Sequence, residues 1–338
     1  MTHYARRLQQ IGSSILISLP SEWIKSNKLK KGSTIPIEVN RDNTISIFPS
    51  QEDADDKTKE VTIAYSPASM DTLVNQVYGA YLLGYDLIRI KGGLQISFED
   101  ADRIKKSMRK LVGLEIIDED GLNITAQFLL DANTLDAEKI LRRMSSIVAG
   151  MYRDVLESIK SGENSIRRVI SGRDDEVDRQ YFLLVRLIRS AMMDQKLAGK
   201  LNLSNIDILD YRIAANHLES AGDSIVDLAS SIQELSRAKF AGEIIEASSL
   251  VEKMQEKSVA AFVNKNRSDS NNVVKMYESF VKLLNSAKDR ATGGEPSNSQ
   301  STVAVLNLAY SMDKIARYWV DVADLVKPVH LTAPFKNA

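Results

Sequence analysis

The sequence has 338 residues, a length typical of two or more domains, with 43% hydrophobic and 26% charged residues. Its net charge of −1 gives no global argument for nucleic-acid binding, and no apolar run approaches the ~18 residues that a membrane-spanning helix needs. The absence of cysteine excludes a disulfide scaffold, a thiolate metal site and a cysteine nucleophile. With three histidines, any metal must be held mainly by oxygen ligands.

Short apolar runs between turn residues predict a small β module over residues 1–50. The runs SILISLP, IPIEV and TISIFP are divided by Gly12, Pro20 and Gly32. The stretch SEWIKSNK predicts a short helix with Ser21 as its N-cap. This module carries seven basic and three acidic residues, whereas the following QEDADDKTKE is acidic, lacks large apolar residues and predicts a linker.

Residues 60–131 alternate between strand-like and helix-like segments, which predicts a small α+β unit. Strand-like VTIAY, DLIRI, LEIID and NITAQFLL are interrupted by predicted helices from Ser69 to Leu83 and from Phe98 to Leu111. No glycine-rich phosphate loop follows these strands, which argues against a nucleotide-binding fold. The basic residues of the second helix are balanced by acids, which is typical of a solvated face.

After Leu135 the pattern is almost wholly helical. The lengths favour a bundle, and six helices counted as three plus three indicate an internal duplication. Breakers such as Gly162 and the loop ATGGEPSNSQ separate the helices. The predicted helices are 135–161, 164–196, 205–238, 242–265, 269–290 and 300–326.

Carboxylates repeat at i, i+4 spacing in two of the long helices. Glu219, Asp223 and Asp227 share one face of the third helix, and Asp174 and Asp178 recur in the second. An ordinary solvated face explains such a pattern, and so does a cation site, because a bound cation offsets the repulsion between like charges. Antiparallel packing of the two helices would bring both groups together.

The only residue near these acids with a different metal-ligand chemistry is His217. It lies about 200° from Glu219 around the helix axis, which argues against shared coordination. No Ser-His-Asp set, phosphate loop or HExxH zinc helix is present, so we expect no enzymatic activity.

Basic and small hydroxyl residues of the first segment are candidate phosphate contacts. Arg6 and Arg7 precede the Gly12-Ser13-Ser14 break, where backbone amides could meet phosphates. Lysines around a turn also occur simply for solubility. The candidate DNA-binding residues are Arg6, Arg7, Ser13, Ser14, Lys25, Lys28, Lys30 and Lys31.

Residues 6–49, RRLQQIGSSILISLPSEWIKSNKLKKGSTIPIEVNRDNTISIFP, resemble the AbrB/SpoVT/MazE-type swapped-hairpin DNA-binding domain. They match its order of basic strand, Gly-Ser turn, strand ending in Leu-Pro, short helix with Trp, Leu-x-x-Gly and two further strands. The resemblance implies DNA as a partner and a homodimer, because this fold is built from two chains.

The segments RDDEVDRQYFLLVRLIR and NHLESAGDSIVDLASSI resemble helical signatures of the PhoU phosphate-signalling family, whose bundles carry E/D-x-x-x-D metal motifs. The order of the two resemblances, with the DNA-binding domain first and the PhoU-like segments after it, is similar to that of archaeal PhoU-domain regulators. The resemblance implies a divalent metal or iron in the first bundle, held by Asp174, Asp178, Glu219, Asp223 and Asp227.

The second bundle departs from that motif. Its matching positions are Asp313, Arg317 and Asp321. Arg317 places a fixed positive charge where a cation would sit, so we expect it to pair with the neighbouring acids instead of a metal.

The sequence therefore predicts a multidomain α+β protein. An N-terminal swapped-hairpin β domain spans 1–50, a small α+β unit 60–131, and an all-α pair of three-helix bundles 135–328.

The predicted function is that of a cytoplasmic DNA-binding transcriptional regulator linked to phosphate uptake and homeostasis. The alternative is an adaptor that does not bind DNA and regulates a phosphate transporter or kinase, with the first domain serving dimerisation. Transporter components or a signalling protein are the further predicted partners.

Overall fold

The computed structural model confirms the predicted fold class, with a small β region, a small sheet in the middle and a long helical region. The chain divides into two compact units, residues 1–59 and 60–338. The structure describes residues 4–39, 44–50, 58–131, 134–161, 166–230, 242–293 and 299–326.

The first unit consists of two antiparallel strand pairs and one short helix. Its elements are β1 (Gln9–Ile11), β2 (Ser14–Leu16), α1 (Ser21–Ser26), β3 (Ile37–Val39) and β4 (Ile45–Ile47). In the β1–β2 hairpin Ile11 opposes Ser14, which leaves a two-residue loop. Gly12 takes the first loop position with φ +61°, a conformation that glycine adopts without steric cost.

No described residue of this first unit is buried. One copy of the unit therefore has no closed hydrophobic core, because its strands are too short and too few to enclose one. The large apolar residues that are more than half exposed are Leu8, Ile11, Ile15, Ile17, Ile37, Val39 and Ile45.

The second unit begins with a four-stranded sheet covered by two helices. The strand order is β5-β6-β8-β7, in which β5 and β6 are parallel and the other neighbours antiparallel. Alternating apolar residues such as Ile88 and Ile90 point into the core, where Leu73 and Ile104 of the helices are also buried. The elements are β5 (Glu60–Tyr65), α2 (Met70–Leu82), β6 (Leu87–Gly92), α3 (Phe98–Arg109), β7 (Leu114–Glu119) and β8 (Asn123–Phe128).

The helical region consists of two groups of three long helices. The described helices, with the short α6 among the long ones, are α4 (Ala137–Ser161), α5 (Ile166–Met193), α6 (Gln195–Lys200), α7 (Asn205–Ser230), α8 (Gly242–Val263), α9 (Arg267–Thr292) and α10 (Ser299–Asp324). Helices α4, α5 and α7 pack against one another, as do α8, α9 and α10. The α7–α10 and α4–α8 contacts join the two groups, in agreement with the predicted pair of three-helix bundles.

Helix ends differ from the prediction in three places. Ser21, predicted as the N-cap of α1, is its first helical residue, and Pro20 holds the cap position with no side-chain hydrogen bond. The other two differences arise from side-chain caps. The predicted helix 164–196 ends at Met193, and a separate short helix, α6, follows, because Asp194 N-caps it by accepting a 2.8 Å hydrogen bond from the Lys196 amide. Helix α9 begins at Arg267, two residues before the predicted start, because the Asn266 side chain accepts hydrogen bonds from the Ser268 and Asp269 amides.

Several predicted segments lie outside the described residues. Residues 51–57 of the predicted linker, Gly162, and residues 294–298 of the predicted loop are among them. The predicted helix 205–238 is described as far as Ser230. Among the described helices, none combines the length and hydrophobicity that a membrane span needs.

Candidate DNA interface and acidic face

The N-terminal arginines lie beside helix α1. The Tyr4 hydroxyl donates a 2.6 Å hydrogen bond to Glu22 Oε2 of α1. The guanidinium of Arg6 lies 5.3 Å from the centre of the Tyr4 ring. These contacts bring the segment that carries Arg6 and Arg7 next to the helix that carries Lys25.

The lysines follow the end of α1 into the next loop. Lys28 adopts φ +55°, and the Leu29 amide then bonds the Ile24 carbonyl at 3.0 Å, which closes the helix. Ser33 Oγ accepts a 3.0 Å hydrogen bond from the Lys30 amide and holds the loop. Every predicted DNA-binding residue is exposed: Arg6, Arg7, Ser13, Ser14, Lys25, Lys28, Lys30 and Lys31. The two serines lie at the β1–β2 turn.

Helices α5 and α7 bring the predicted carboxylates together. Asp174 and Asp178 of α5 are half-buried, and Asp174 feels the charges of Asp178 and of Asp223 and Glu219 on α7. A Cβ atom at Gly222 would lie 3.1 Å from Asp174 Oδ1, so the glycine lets α5 present this carboxyl close to the α7 backbone. We refer to Asp174, Asp178, Glu219 and Asp223 as the acidic face.

Burial and mutual repulsion make three of these carboxyls, Asp174, Asp178 and Glu219, harder to ionise than ordinary ones. Burial, followed by the charge of Asp178, raises the pKa of Asp174 to about 7. Burial and then Asp223 raise the pKa values of Asp178 and Glu219. The acidic face is therefore unlike a freely solvated set of carboxylates and is stabilised by added positive charge.

The acidic face has the donor chemistry of a hard-cation site, because it consists of carboxylate oxygens from two facing helices. Within the described part of the chain, however, no three His, Asp or Glu side chains stand together as a ready ligand set. A bound ion would therefore have to draw the carboxylates toward one point. Asp223 and Asp227, which is one turn further along α7, are both exposed.

The second bundle has an arginine at its matching position, and this arginine forms the expected ion pair. Arg317 Nε lies 2.9 Å from Asp313 Oδ2, and the Tyr277 hydroxyl donates a 2.9 Å hydrogen bond to Asp313 Oδ1. Asp321 lies 3.9 Å from Nδ1 of His217, which faces the second bundle and not the acidic face. The predicted separation of His217 from Glu219 is thus observed.

The α+β unit is anchored on α5 by Arg186, which the sequence analysis did not single out. Its side chain is 5% exposed and donates 2.8 Å hydrogen bonds to the carbonyls of Tyr81 and Tyr85 and a 3.0 Å bond to Asp86. The guanidinium also lies 3.8 Å from the centre of the Phe128 ring. Since α2 ends at Leu82, Arg186 binds one carbonyl of its last turn, that of Tyr81, and one carbonyl just beyond it, that of Tyr85.

A second contact joins the α+β unit to α5 and corrects the prediction that the basic residues of α3 form only a solvated face. Lys106 does pair on its own helix, with Asp102 at 2.7 Å, as a solvated face would. Lys110, in contrast, reaches α5, where its Nζ lies 3.1 Å from Asp175 Oδ1. The sequence carries no local signal for this pair because its partners are far apart along the chain.

Comparison with family models identifies the helical region. The model described as "PhoU domain" matches residues 141–232 and again 244–326, together just over half of the chain. The chain belongs to the PhoU-domain family. The two matches confirm the predicted internal duplication, one PhoU repeat for each three-helix bundle. The acidic face lies in the first PhoU repeat, and the Arg317 pair in the second.

A second model covers the N-terminal unit. It is described as "Antidote-toxin recognition MazE, bacterial antitoxin" and matches residues 8–55. This match agrees with the resemblance drawn from residues 6–49. The curated proteins include no match to the chain.

Two solved structures resemble more than half of the chain. PhoU from Pseudomonas aeruginosa aligns with a TM-score of 0.52 and 16% identity, over 58% of this chain and 95% of that protein. PhoU from Streptococcus pneumoniae aligns with a TM-score of 0.49 and 13% identity, over 56% and 91%. At these identities the Pseudomonas structure supports the helical fold alone.

Proposed function

We propose that this protein is a cytoplasmic DNA-binding transcriptional regulator of phosphate uptake and homeostasis. The observation that carries the proposal is the presence, on one chain, of a MazE-like domain followed by two PhoU repeats. Both families are regulatory rather than catalytic, which favours a non-enzymatic role. The basic, exposed residues of the first unit supply phosphate contacts, and the PhoU repeats supply the link to phosphate status.

An adaptor that does not bind DNA, and that docks on a phosphate transporter or kinase, is the second candidate. Selection from random duplex DNA with the full chain separates the two. If the protein is a DNA-binding regulator, the selection should enrich one family of related DNA sequences. If it binds DNA as a homodimer, that family should contain an inverted repeat. Selected pools that stay random over successive rounds would favour the adaptor.

We propose further that the first unit is completed by a second copy, so that the protein is a homodimer. The exposed isoleucines and valine of β1 to β4 would then form a shared core. We expect the full chain to sediment as a dimer and the Ile15→Asp variant as a monomer at about 10 μM, because dimerisation would bury an unpaired carboxylate from each copy.

The matched control is Phe98→Asp. Phe98 is 95% exposed and lies in the α+β unit, so this change leaves the sedimentation coefficient as in the wild type. A wild-type monomer, or equal behaviour of Ile15→Asp and the wild type, would contradict the shared core.

The acidic face is proposed as the binding site of a divalent metal or iron, with Asp227 as an outer acid. Burial and then mutual repulsion raise the pKa values of Asp174, Asp178 and Glu219, so a bound cation would stabilise these carboxylates. Asp223 projects from the same helix as Glu219. The second repeat is proposed to hold none, because Arg317 already neutralises Asp313.

A further inference from the structure

A groove between α4 and α8 lies where the two PhoU repeats meet. Its volume is about 600 Å³, and it opens to solvent. Small side chains such as Ser146, Ala149 and Ser249 leave this space between the two helices. Volumes of roughly 300–1,000 Å³ are typical of sites for small ligands, so the groove is large enough for a metabolite.

The buried part of the groove lining is polar and joins the two repeats. Gln255 of α8 is 6% exposed, and its side-chain amide donates hydrogen bonds of 2.6 Å to the Ser145 carbonyl and 2.9 Å to Ser145 Oγ on α4. The hydroxyl of Tyr152, also on α4, is buried and has no hydrogen-bond partner among the described residues. Burial, followed by the charge of Glu252 in the groove, raises the pKa of this hydroxyl.

The walls of the groove carry charges of both signs that do not neutralise one another. The three basic and two acidic side chains are Arg142, Arg153, Lys253, Glu252 and Glu256. Arg142 pairs within its own helix, with Glu138 at 2.8 Å. In the part of the chain that the structure describes, the other four form no ion pair. Their donors and acceptors are therefore free to meet a ligand.

We propose that this groove binds a small phosphorylated sugar compound, such as a nucleotide or a sugar phosphate. Gln255 contacts Ser145 and Glu252 lies near Tyr152, so α4 and α8 run antiparallel here. Arg153 and Lys253 consequently lie toward the same end of the groove. Two positive side chains at one end suit a phosphate group, because their hydrogen bonds to it are charge-assisted.

The two glutamates favour a ligand that is more than a phosphate ion. Glu252 and Glu256 would repel a bare anion, but they accept hydrogen bonds from the hydroxyl groups of a sugar. The ligand would contact α4 of the first repeat and α8 of the second, and so would strengthen the packing between the repeats. Binding here requires neither DNA at the first unit nor a metal at the acidic face, which is formed by α5 and α7.

Calorimetric titration of the full chain with ribose 5-phosphate and, separately, with AMP tests the proposal. A chelator is present, so that no metal links the phosphate group to the acidic face. We expect the wild type to bind, and Arg153→Met and Lys253→Met each to bind about tenfold more weakly, because each loses a charge-assisted contact. Both side chains are exposed and unpaired, so the variants should melt like the wild type.

The matched control is Lys257→Met, which removes a lysine one turn further along α8 that does not line the groove. It should bind both compounds like the wild type. Glu252→Met tests the sugar contact, with inorganic phosphate as a third titrant. This change should weaken binding of ribose 5-phosphate relative to inorganic phosphate by about threefold or more, because a hydroxyl group loses its acceptor.

The two titrants also separate the two sources of the ligand. Binding of AMP alone would assign a nucleotide, and binding of ribose 5-phosphate would assign any compound that carries this sugar phosphate. Failure of the wild type to bind either compound, or equal losses in Arg153→Met and Lys257→Met, would overturn the site. Inorganic phosphate that binds as tightly as ribose 5-phosphate would overturn the role of the glutamates. Each of these results would leave the proposed DNA-binding function standing.

Discussion

Replacement of Arg186 by methionine is expected to lower the free energy of unfolding by about 2–4 kcal/mol, since it removes a buried charge that satisfies several partners. Methionine retains much of the apolar stem but none of the three hydrogen bonds to Tyr81, Tyr85 and Asp86. Thermal and urea unfolding of the full chain measure the loss. Hydrogen exchange should rise most within residues 60–131, which lose their anchor on α5.

The control for this substitution is Arg189→Met on the same helix. Arg189 is exposed, so its replacement should change the stability by no more than about 0.5 kcal/mol. If Arg186→Met were as stable as Arg189→Met, the α+β unit would not depend on this anchor.

Replacement of Asp174 by asparagine is expected to stabilise the metal-free protein at pH 8 but not at pH 4. The folded-state pKa of Asp174, about 7, lies above its ordinary value of 3.8. The folded protein therefore keeps a proton that the unfolded chain has released, and wild-type stability falls as the pH rises from about 4 to about 7. At pH 8 we expect Asp174→Asn to have a free energy of unfolding about 1–2 kcal/mol higher than that of the wild type. The gain is modest because solvent screens this half-buried group.

Metal should reverse the order of the two proteins at pH 8. With Mn²⁺, Fe²⁺ or Mg²⁺ in excess, the wild type gains a melting temperature shift that Asp174→Asn lacks and that a chelator removes. Asp118→Asn is the matched control, because Asp118 is an exposed acid of β7 that is not part of the proposed metal site. Wild type and Asp174→Asn melting alike at every pH and with every ion would contradict the account of this face.

The sequence predicted the helices well because their apolar spacing and their breakers are local properties. The acidic face was also foreseen in outline, since i, i+4 spacing places Glu219 and Asp223 on one side of α7. The sequence also predicts that antiparallel packing brings Asp174 near α7, but not that Asp174 lies against Gly222, because that detail depends on how the helices pack.

Arg186 and Lys110 could not be assigned from the sequence for a related reason. Arg186 stands among Leu and Val residues on α5, which marks it as unusual, but its partners lie about 100 residues earlier in the chain. Asp194 shows a similar limit on a smaller scale, because a single side-chain cap decides whether the helix continues through this position or a new helix starts after it.

The most direct test of the central claim is the salt dependence of binding to the DNA that selection enriches. The account predicts specific binding by the wild-type dimer whose log affinity falls linearly with log salt. In the Arg6→Ala/Arg7→Ala variant the affinity should fall and the slope should become shallower by about one or two units, because phosphate contacts are lost. A Ser268→Ala variant, changed far from the first unit in sequence, should bind like the wild type. Equal affinity and equal slope for the wild type and the arginine variant, or no specific DNA binding at all, would contradict the claim.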